Sequence, residues 1–190
     1  MLRVLGGWAS VMHYNTDCWQ KNGIPAHAAS FVADGFPADA GANARISIVH
    51  EDGFGRPLQT KTKAMPGLAY MVENGKFVLK YGILEEDNTK TRWLVSGRVE
   101  YNNKGLPVRT YHPYFLDTHT YVADDAMRNV GYYAQHYYDP LGREIRVVRP
   151  DKYFRRQTYW PWYVIAEDEN DTAGERNSPD FQLLHSEPED

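Results

Sequence analysis

Only one cysteine, Cys18, occurs among the 190 residues, so no internal disulfide can form and zinc sites of the multi-cysteine kind lack ligands. Long apolar runs are missing as well. Nothing approaches the roughly 18 consecutive apolar residues that a membrane-spanning helix requires, and Met1–Trp8 turns polar too soon to read as a signal peptide. Clustered basic charge is absent: the net charge is −4, and no face gathers the Lys and Arg that phosphate backbones demand, which excludes DNA and RNA as partners. The acids are instead concentrated at one end, where residues 167–190 hold nine of them against a single base, Arg176.

Motifs of catalysis and metal binding are equally scarce. No Gly-x-Ser-x-Gly elbow exists, and Cys18 sits in a weakly patterned stretch. Gly53-Phe54-Gly55 follows a strand but lacks a third glycine and runs into another strand, so it offers no helix N-terminus to a phosphate. His112, His119 and His136, the closest of seven histidines, match no ligand spacing. The acidic run from Glu167 to Asp171 lacks the central Gly and terminal Glu of a calcium loop. The expectation is a protein without catalytic residues, metal or cofactor.

What the chain does have is aromatic and β-branched bulk: 14 Tyr, 5 Trp and 7 Phe favour half-buried pleated surfaces. Residues 1–44, rich in Ala, Gly and Asp, read as an irregular lead-in. From Arg45 onward alternation begins, with Ile46 and Ile48 against Arg45 and Ser47, ending at Asp52-Gly53-Phe54-Gly55. Asn74-Gly75 between two β-type runs predicts a type I′ hairpin, because both central positions need positive φ. Trp93, Val95, Val99 and Tyr101 predict one strand with a buried side, and Arg98 is placed on its outer face. Ile145, Val147 and Arg149 are expected opposite Glu144, Arg146 and Val148. A helix is expected only over Tyr121 to Val130, capped by Asp117 or Thr118.

One pattern recurs three times: Asp52 to Gly55, Asn102 to Gly105, and Asp139 to Gly142, each with an Asx residue three positions before a glycine and an aliphatic residue three after it. The Asx side chain can accept hydrogen bonds from the backbone just ahead of it, and the glycine supplies the left-handed conformation that closes the turn. Two copies place Tyr directly before, at Tyr101 and Tyr138, and the third continues with Arg143. The unit is a device for turning a strand.

Tyr138-Asp139-Pro140-Leu141-Gly142-Arg143-Glu144 resembles the YD, or RHS, repeat. A longer set is similar to the C-terminal region of the B component of bacterial ABC-type insecticidal toxin complexes. It comprises His50 to Gln59, Gly105 to Arg109, Tyr114-Phe115-Leu116, Tyr137 to Arg143 and Glu167 to Asp171, and the resemblance runs from about Phe31 to Thr172. It implies a mainly β, antiparallel strand-turn-strand array with at most one or two short helices, forming a fragment of a larger β-shell. It further implies a C component as shell partner, a pore-forming A component as indirect partner, and a secreted complex. The large N-terminal part of a B component, with its β-propeller, has no counterpart in these residues. The self-cleaving aspartates of RHS proteins belong to the C component, so they are not carried over to Asp124-Asp125.

The expected organisation is a lead-in over 1–44, a repeat segment over 45–165 and an acidic tail over 166–190. Trp160-Pro161-Trp162-Tyr163 stands apart, since Trp160, Trp162 and Tyr163 could meet a partner protein or stack on sugar rings. The other reading of that cluster is a strand end lining the shell, with Pro161 at a bend. A self-contained carbohydrate- or protein-binding module is thus the alternative to a shell segment.

Overall fold

A computed structural model describes residues 8–35 and 43–175. The described chain divides into two compact units, one from residues 1–99 and 111–131, the other from 100–110 and 132–190. It is mainly β with two short helices.

The chain opens with β1 (Ser10–Asn15), α1 (Cys18–Asn22) and β2 (Ala26–Ala33), then enters β3 (Ala44–Glu51). The expected irregular lead-in is therefore corrected: β1 pairs with β2, and β2 with β3, in unbroken antiparallel register from Ala26↔Glu51 to Ala33↔Ala44. Alanine-rich β2 carries little strand propensity of its own. Pairing on both sides supplies what the side chains lack.

Next come β4 (Pro57–Ala64) and β5 (Gly67–Tyr70), followed by two miniature hairpins, β6 (Val72–Glu73) with β7 (Lys76–Phe77) and β8 (Leu79–Lys80) with β9 (Ile83–Leu84). Asn74 and Gly75 have φ of 51° and 77°, as the sequence predicts for a type I′ turn. Tyr81 and Gly82 repeat that geometry at 54° and 78°. A tyrosine is strained there, and its ring is 96% exposed. The hairpins are joined by a ring of three backbone bonds, Val78 N–H to Met71 O, Glu85 N–H to Val78 O and Met71 N–H to Glu85 O, all 2.9–3.0 Å.

The chain continues through β10 (Glu86–Thr89), β11 (Arg92–Ser96), β12 (Val99–Tyr101), β13 (Pro107–Tyr111) and β14 (Tyr114–Leu116). Residues 93–101 thus form two strands rather than one. Gly97, at φ +63°, breaks the run, and β12 belongs to a different sheet. Arg98 is buried and not outward-facing: its guanidinium lies 4.6 Å from the Tyr111 ring and donates to the Asp124 carbonyl at 3.2 Å.

In the first unit, one sheet runs in the order β1-β2-β3-β4-β11-β14-β5-β10, antiparallel except between β14 and β5. Its core gathers Ala29, Ile46, Ile48 and Trp93, with Phe31 packed against them. The helix expected over Tyr121–Val130 shortens to α2 (Ala126–Val130). Asp124 begins it, its carboxylate accepting from the N–H of Ala126 at 3.1 Å and of Phe77 at 2.7 Å. Tyr121 and Val122, expected in the helix, instead continue an irregular stretch whose carbonyls sheet side chains hold: Gln59 Nε2 donates to Val122 O at 2.9 Å, and Lys61 Nζ donates to Thr120 O.

The second unit carries the sheet β12-β13-β15-β16-β17-β18, with β15 (Tyr133–Tyr138), β16 (Glu144–Val148), β17 (Phe154–Tyr159) and β18 (Val164–Glu167) forming an antiparallel meander. Val148 and Phe154 form its core with Tyr137. Val147 and Val148 are both buried, so β16 is covered on both faces at its end and the simple alternation expected there fails.

Among the described residues no helix is long and apolar enough to cross a membrane.

Candidate functional site: the glycine-centred turns and the aromatic hairpin

All three predicted turns link consecutive antiparallel strands, and all have one construction. The Asx N–H donates to the carbonyl four residues on, and the glycine N–H donates back to the Asx carbonyl. The distances are 3.0 and 3.1 Å for Asp52, 2.9 and 2.8 Å for Asn102, and 3.0 and 2.9 Å for Asp139. Gly55, Gly105 and Gly142 have φ of 75°, 77° and 83°. This is a type I turn closed by a left-handed residue in a bulge, the usual three-residue hairpin loop. The bulge shows as a register shift at His50/Glu51 and at Tyr137/Tyr138.

The Asx side chain completes each turn. One oxygen of Asp52 accepts the N–H groups of Phe54 and Arg56 at 2.9 Å, and that of Asn102 accepts those of Lys104 and Leu106 at 3.0 Å. Asp139 accepts the Arg143 N–H at 2.9 Å. The aspartates use their second oxygen on the guanidinium of Arg56 or Arg143, 2.6 Å in both cases. For Asp139 the Arg143 N–H, and then its guanidinium, hold the carboxyl below its ordinary range. For Asp52 burial pushes the other way, but the Arg56 and Phe54 donors outweigh it and the carboxyl is likewise lowered.

Within the second unit, the turns at Asn102 and Asp139 lie side by side. Lys104 Nζ donates to Pro140 O at 3.0 Å, and Tyr138 OH donates to Pro107 O at 2.8 Å. The Leu106 methyl lies 3.5 Å from where a side chain on Gly142 would begin. Arg143 also caps the Tyr159 ring at 4.3 Å, beside a cleft of about 460 Å³ lined by Tyr137, Asp139, Arg146 and Arg156. The first turn, with Asp52 and Gly55, belongs to the other unit.

Sequence reasoning missed a fourth turn of the same build. Between β16 and β17, Arg149 N–H donates to Tyr153 O at 2.8 Å and Lys152 N–H to Arg149 O at 2.9 Å, with Lys152 at φ 69°. It has Arg149 where the others have Asx and Lys152 where they have Gly, and its one Asx, Asp151, stands in the third position and accepts the Tyr153 N–H at 3.3 Å. Pro150 in the second position, preset for a type I turn as Pro140 is, was the available signal.

Trp160, Trp162 and Tyr163 cap the β17–β18 hairpin, where Trp160 N–H donates to Tyr163 O at 2.9 Å. Trp160 and Tyr163 stack with centroids 6.0 Å apart, and Trp162 is 93% exposed. Val164 and Ile165 on β18 are exposed as well, on opposite faces of the strand, so the hairpin is apolar on both sides near its tip.

The acidic segment is not uniformly a solvated tail. Glu167 and Glu175 each grip the Arg156 guanidinium through two hydrogen bonds of 2.7–3.1 Å. Thr172, buried, donates to Phe154 O at 2.5 Å. Residues 166–175 are therefore docked on β17, while 176–190 lie outside the described residues.

Among the described residues no group of three His, Cys, Asp or Glu side chains could hold a metal ion. Neither a protein-family model nor a curated protein matches the chain. Solved structures do. A crystal structure of TcdB2-TccC3 aligns over 88% of this chain at 39% identity with a TM-score of 0.81. A Photorhabdus luminescens Tc holotoxin pore aligns over 81% at 40% identity and 0.74, and TcdB2-TccC3-Cdc42 over 84% at 40% and 0.75. This chain spans 8%, 7% and 7% of the length of those chains. It is a relative of Tc toxin chains.

Proposed function

We propose that this chain is a stretch of RHS shell wall in a secreted Tc toxin complex, paired with a C-type partner whose toxic cargo the shell encloses. The carrying observation is the second unit. Its turns at Gly105 and Gly142 stack through Lys104 and Pro140, so the strands repeat laterally as one ladder. Such units bury their faces on neighbours, and β18 is an outer strand of this sheet, where a further strand would add. The relation to TcdB2-TccC3 chains, of which this one spans a small share, supports the same reading. A pore-forming A component is an indirect partner in this reading, and the wall performs no chemistry of its own.

The test is co-expression with a C-type protein. Joint elution, with a melting temperature raised by the partner, is the expected result. A monomer that elutes alone and melts sharply at a temperature independent of concentration and partner overturns it.

One observation favours a second reading, the exposed stack of Trp160, Trp162 and Tyr163. If the hairpin is a carbohydrate- or protein-binding platform, a glycan screen gives binding that Trp162→Ala abolishes, because an aromatic face on a sugar or partner supplies most of a small site's affinity.

A further inference from the structure

The first unit buries an unusual polar group. Lys61 is 0% exposed, in the middle of β4, with Ile48 and Val95 as its cross-strand neighbours. His50 and Gln59, adjacent on the same face, are 2% and 1% exposed. Burying such groups is costly unless each finds a partner. The partners come from residues 117–122, a strap outside any helix or strand that is anchored at its start by the Asp117 N–H on Tyr70 O and by Thr91 Oγ1 on Asp117 O, both 3.2 Å. Lys61 donates to the carbonyls of Thr120 and, at 3.5 Å, Thr118, and Gln59 donates to that of Val122 at 2.9 Å.

His50 is the misfit. Its Nδ1 is buried with no hydrogen-bond partner, and its ring is boxed by His27 on β2 at 5.2 Å and by Tyr121 of the strap at 5.4 Å. His119 of the strap packs on Trp93 at 5.6 Å. The charged groups around this face are predominantly cationic: Lys61 and Arg98 act on it, with the His27 and His119 rings beside them, against Asp117 at the strap's start.

We propose that residues 117–122 are an acid-released latch: Lys61 and Gln59 hold it closed by its carbonyls, and proton uptake by His50 and His119 opens it. In the closed latch the Nδ1 of His50 is unpartnered, the Oε1 of its cross-strand neighbour Gln59 is the one unpartnered buried acceptor beside it, and a charge on the ring is opposed by burial and by Lys61, so the proton is best accommodated when the strap lifts and water enters. Burial, then Lys61, His27 and His119, push the His50 pKa down to about 3. Burial, then Lys61 and His27, lower that of His119. An open latch restores both to ordinary values near 6.5. Each histidine that regains its proton on opening favours the open form by about tenfold per pH unit below that value. The latch does not depend on the shell reading, since every group in it lies within one unit.

Hydroxyl-radical labelling of the full chain between pH 7.5 and 4.5 tests this, read at Val122, which is 0% exposed while the strap is closed. Labelling of Val122 is expected to rise about tenfold or more per pH unit below about 6.5, while amide exchange in β2 and β3 keeps its protection. His50→Gln removes one proton and cuts the slope by about one decade per unit. His119→Gln, at an exposed position that spares the fold, cuts it by a smaller amount. A pH-independent Val122 signal overturns the proposal. So does an unchanged slope in both variants, or a rise that comes only with loss of protection in β2 and β3.

Discussion

Lys104 Nζ donates to the carbonyl of Pro140, 36 residues further along the chain, at 3.0 Å and so binds two successive turns together. The contact exists because both loops have the same length and the same bulge, so the strands they join keep a common phase. A loop longer by one residue would shift every side chain beyond it to the opposite face. The repeat is thus a register-keeping device, and the contact between Lys104 and Pro140 is a consequence of that register.

The Asx residue is the part of the device whose loss is most costly. Asn102→Ala removes the acceptor for the Lys104 and Leu106 N–H groups and is expected to destabilise the chain by about 1–2 kcal/mol. Asn102→Asp keeps that acceptor, as Asp52 shows in its own turn, and is expected to cost less than about 0.5 kcal/mol. Urea melts of the two variants against the parent chain check the difference.

The first turn separates conformational strain from crowding. Gly53 and Gly55 both have open space where a side chain would begin, yet only Gly55, at φ +75°, is left-handed. Gly55→Ala is therefore expected to cost about 1 kcal/mol and Gly53→Ala only a few tenths. Equal losses in the two denaturation curves would show that the bulge is not what the turn depends on.

These turns were legible because their signals are local: an Asx acceptor and a glycine three residues later specify the loop whatever lies elsewhere. The Asn74-Gly75 hairpin was legible for the same reason. The failures were non-local. The strand β2 exists by pairing with β1 and β3, which its alanines do not announce, and the expected helix loses its first residues to the strap at 117–122, whose carbonyls are taken by Lys61 and Gln59, far away in sequence. Lys152 in the fourth turn takes a left-handed conformation without the glycine that would have flagged it. The aromatic hairpin was recognised by composition, and its exposure could be learned only from the fold.

Lys61 gives the chain an unusual alkaline dependence. Burial first, then the Arg98 charge, lower its pKa to about 7, with Asp117 opposing, against 10.5 for an ordinary lysine. Between those values the unfolded chain binds the extra proton, so stability rises with pH from about 7 toward 10 and levels off below 7. The rise amounts to a few kcal/mol at most. Lys61→Met, similar in volume, abolishes it. Denaturant midpoints at pH 7, 8 and 9 for both chains decide the matter, and a parent chain that loses stability over that window contradicts the assignment.

The acidic segment is expected to divide near residue 175. Glu167 and Glu175 hold Arg156 from two sides, and Thr172 closes on the Phe154 carbonyl, so residues 166–175 act as a clasp on β17. Ending the chain after residue 175 should leave the melting temperature within a degree or two of the full chain. Ending it after residue 165 strips the clasp, removing both carboxylates from Arg156 and the Thr172 hydroxyl from the Phe154 carbonyl, and should lower the melting temperature by about 5 °C or more. Thr172→Val probes one contact of the same clasp. The methyl preserves the packing but leaves the Phe154 carbonyl without its donor, at a cost of about 1–2 kcal/mol. If both truncations melt together, the interactions of Arg156 and Thr172 with β17 contribute no net stability, and the whole of 166–190 behaves as the solvated tail that its composition suggests.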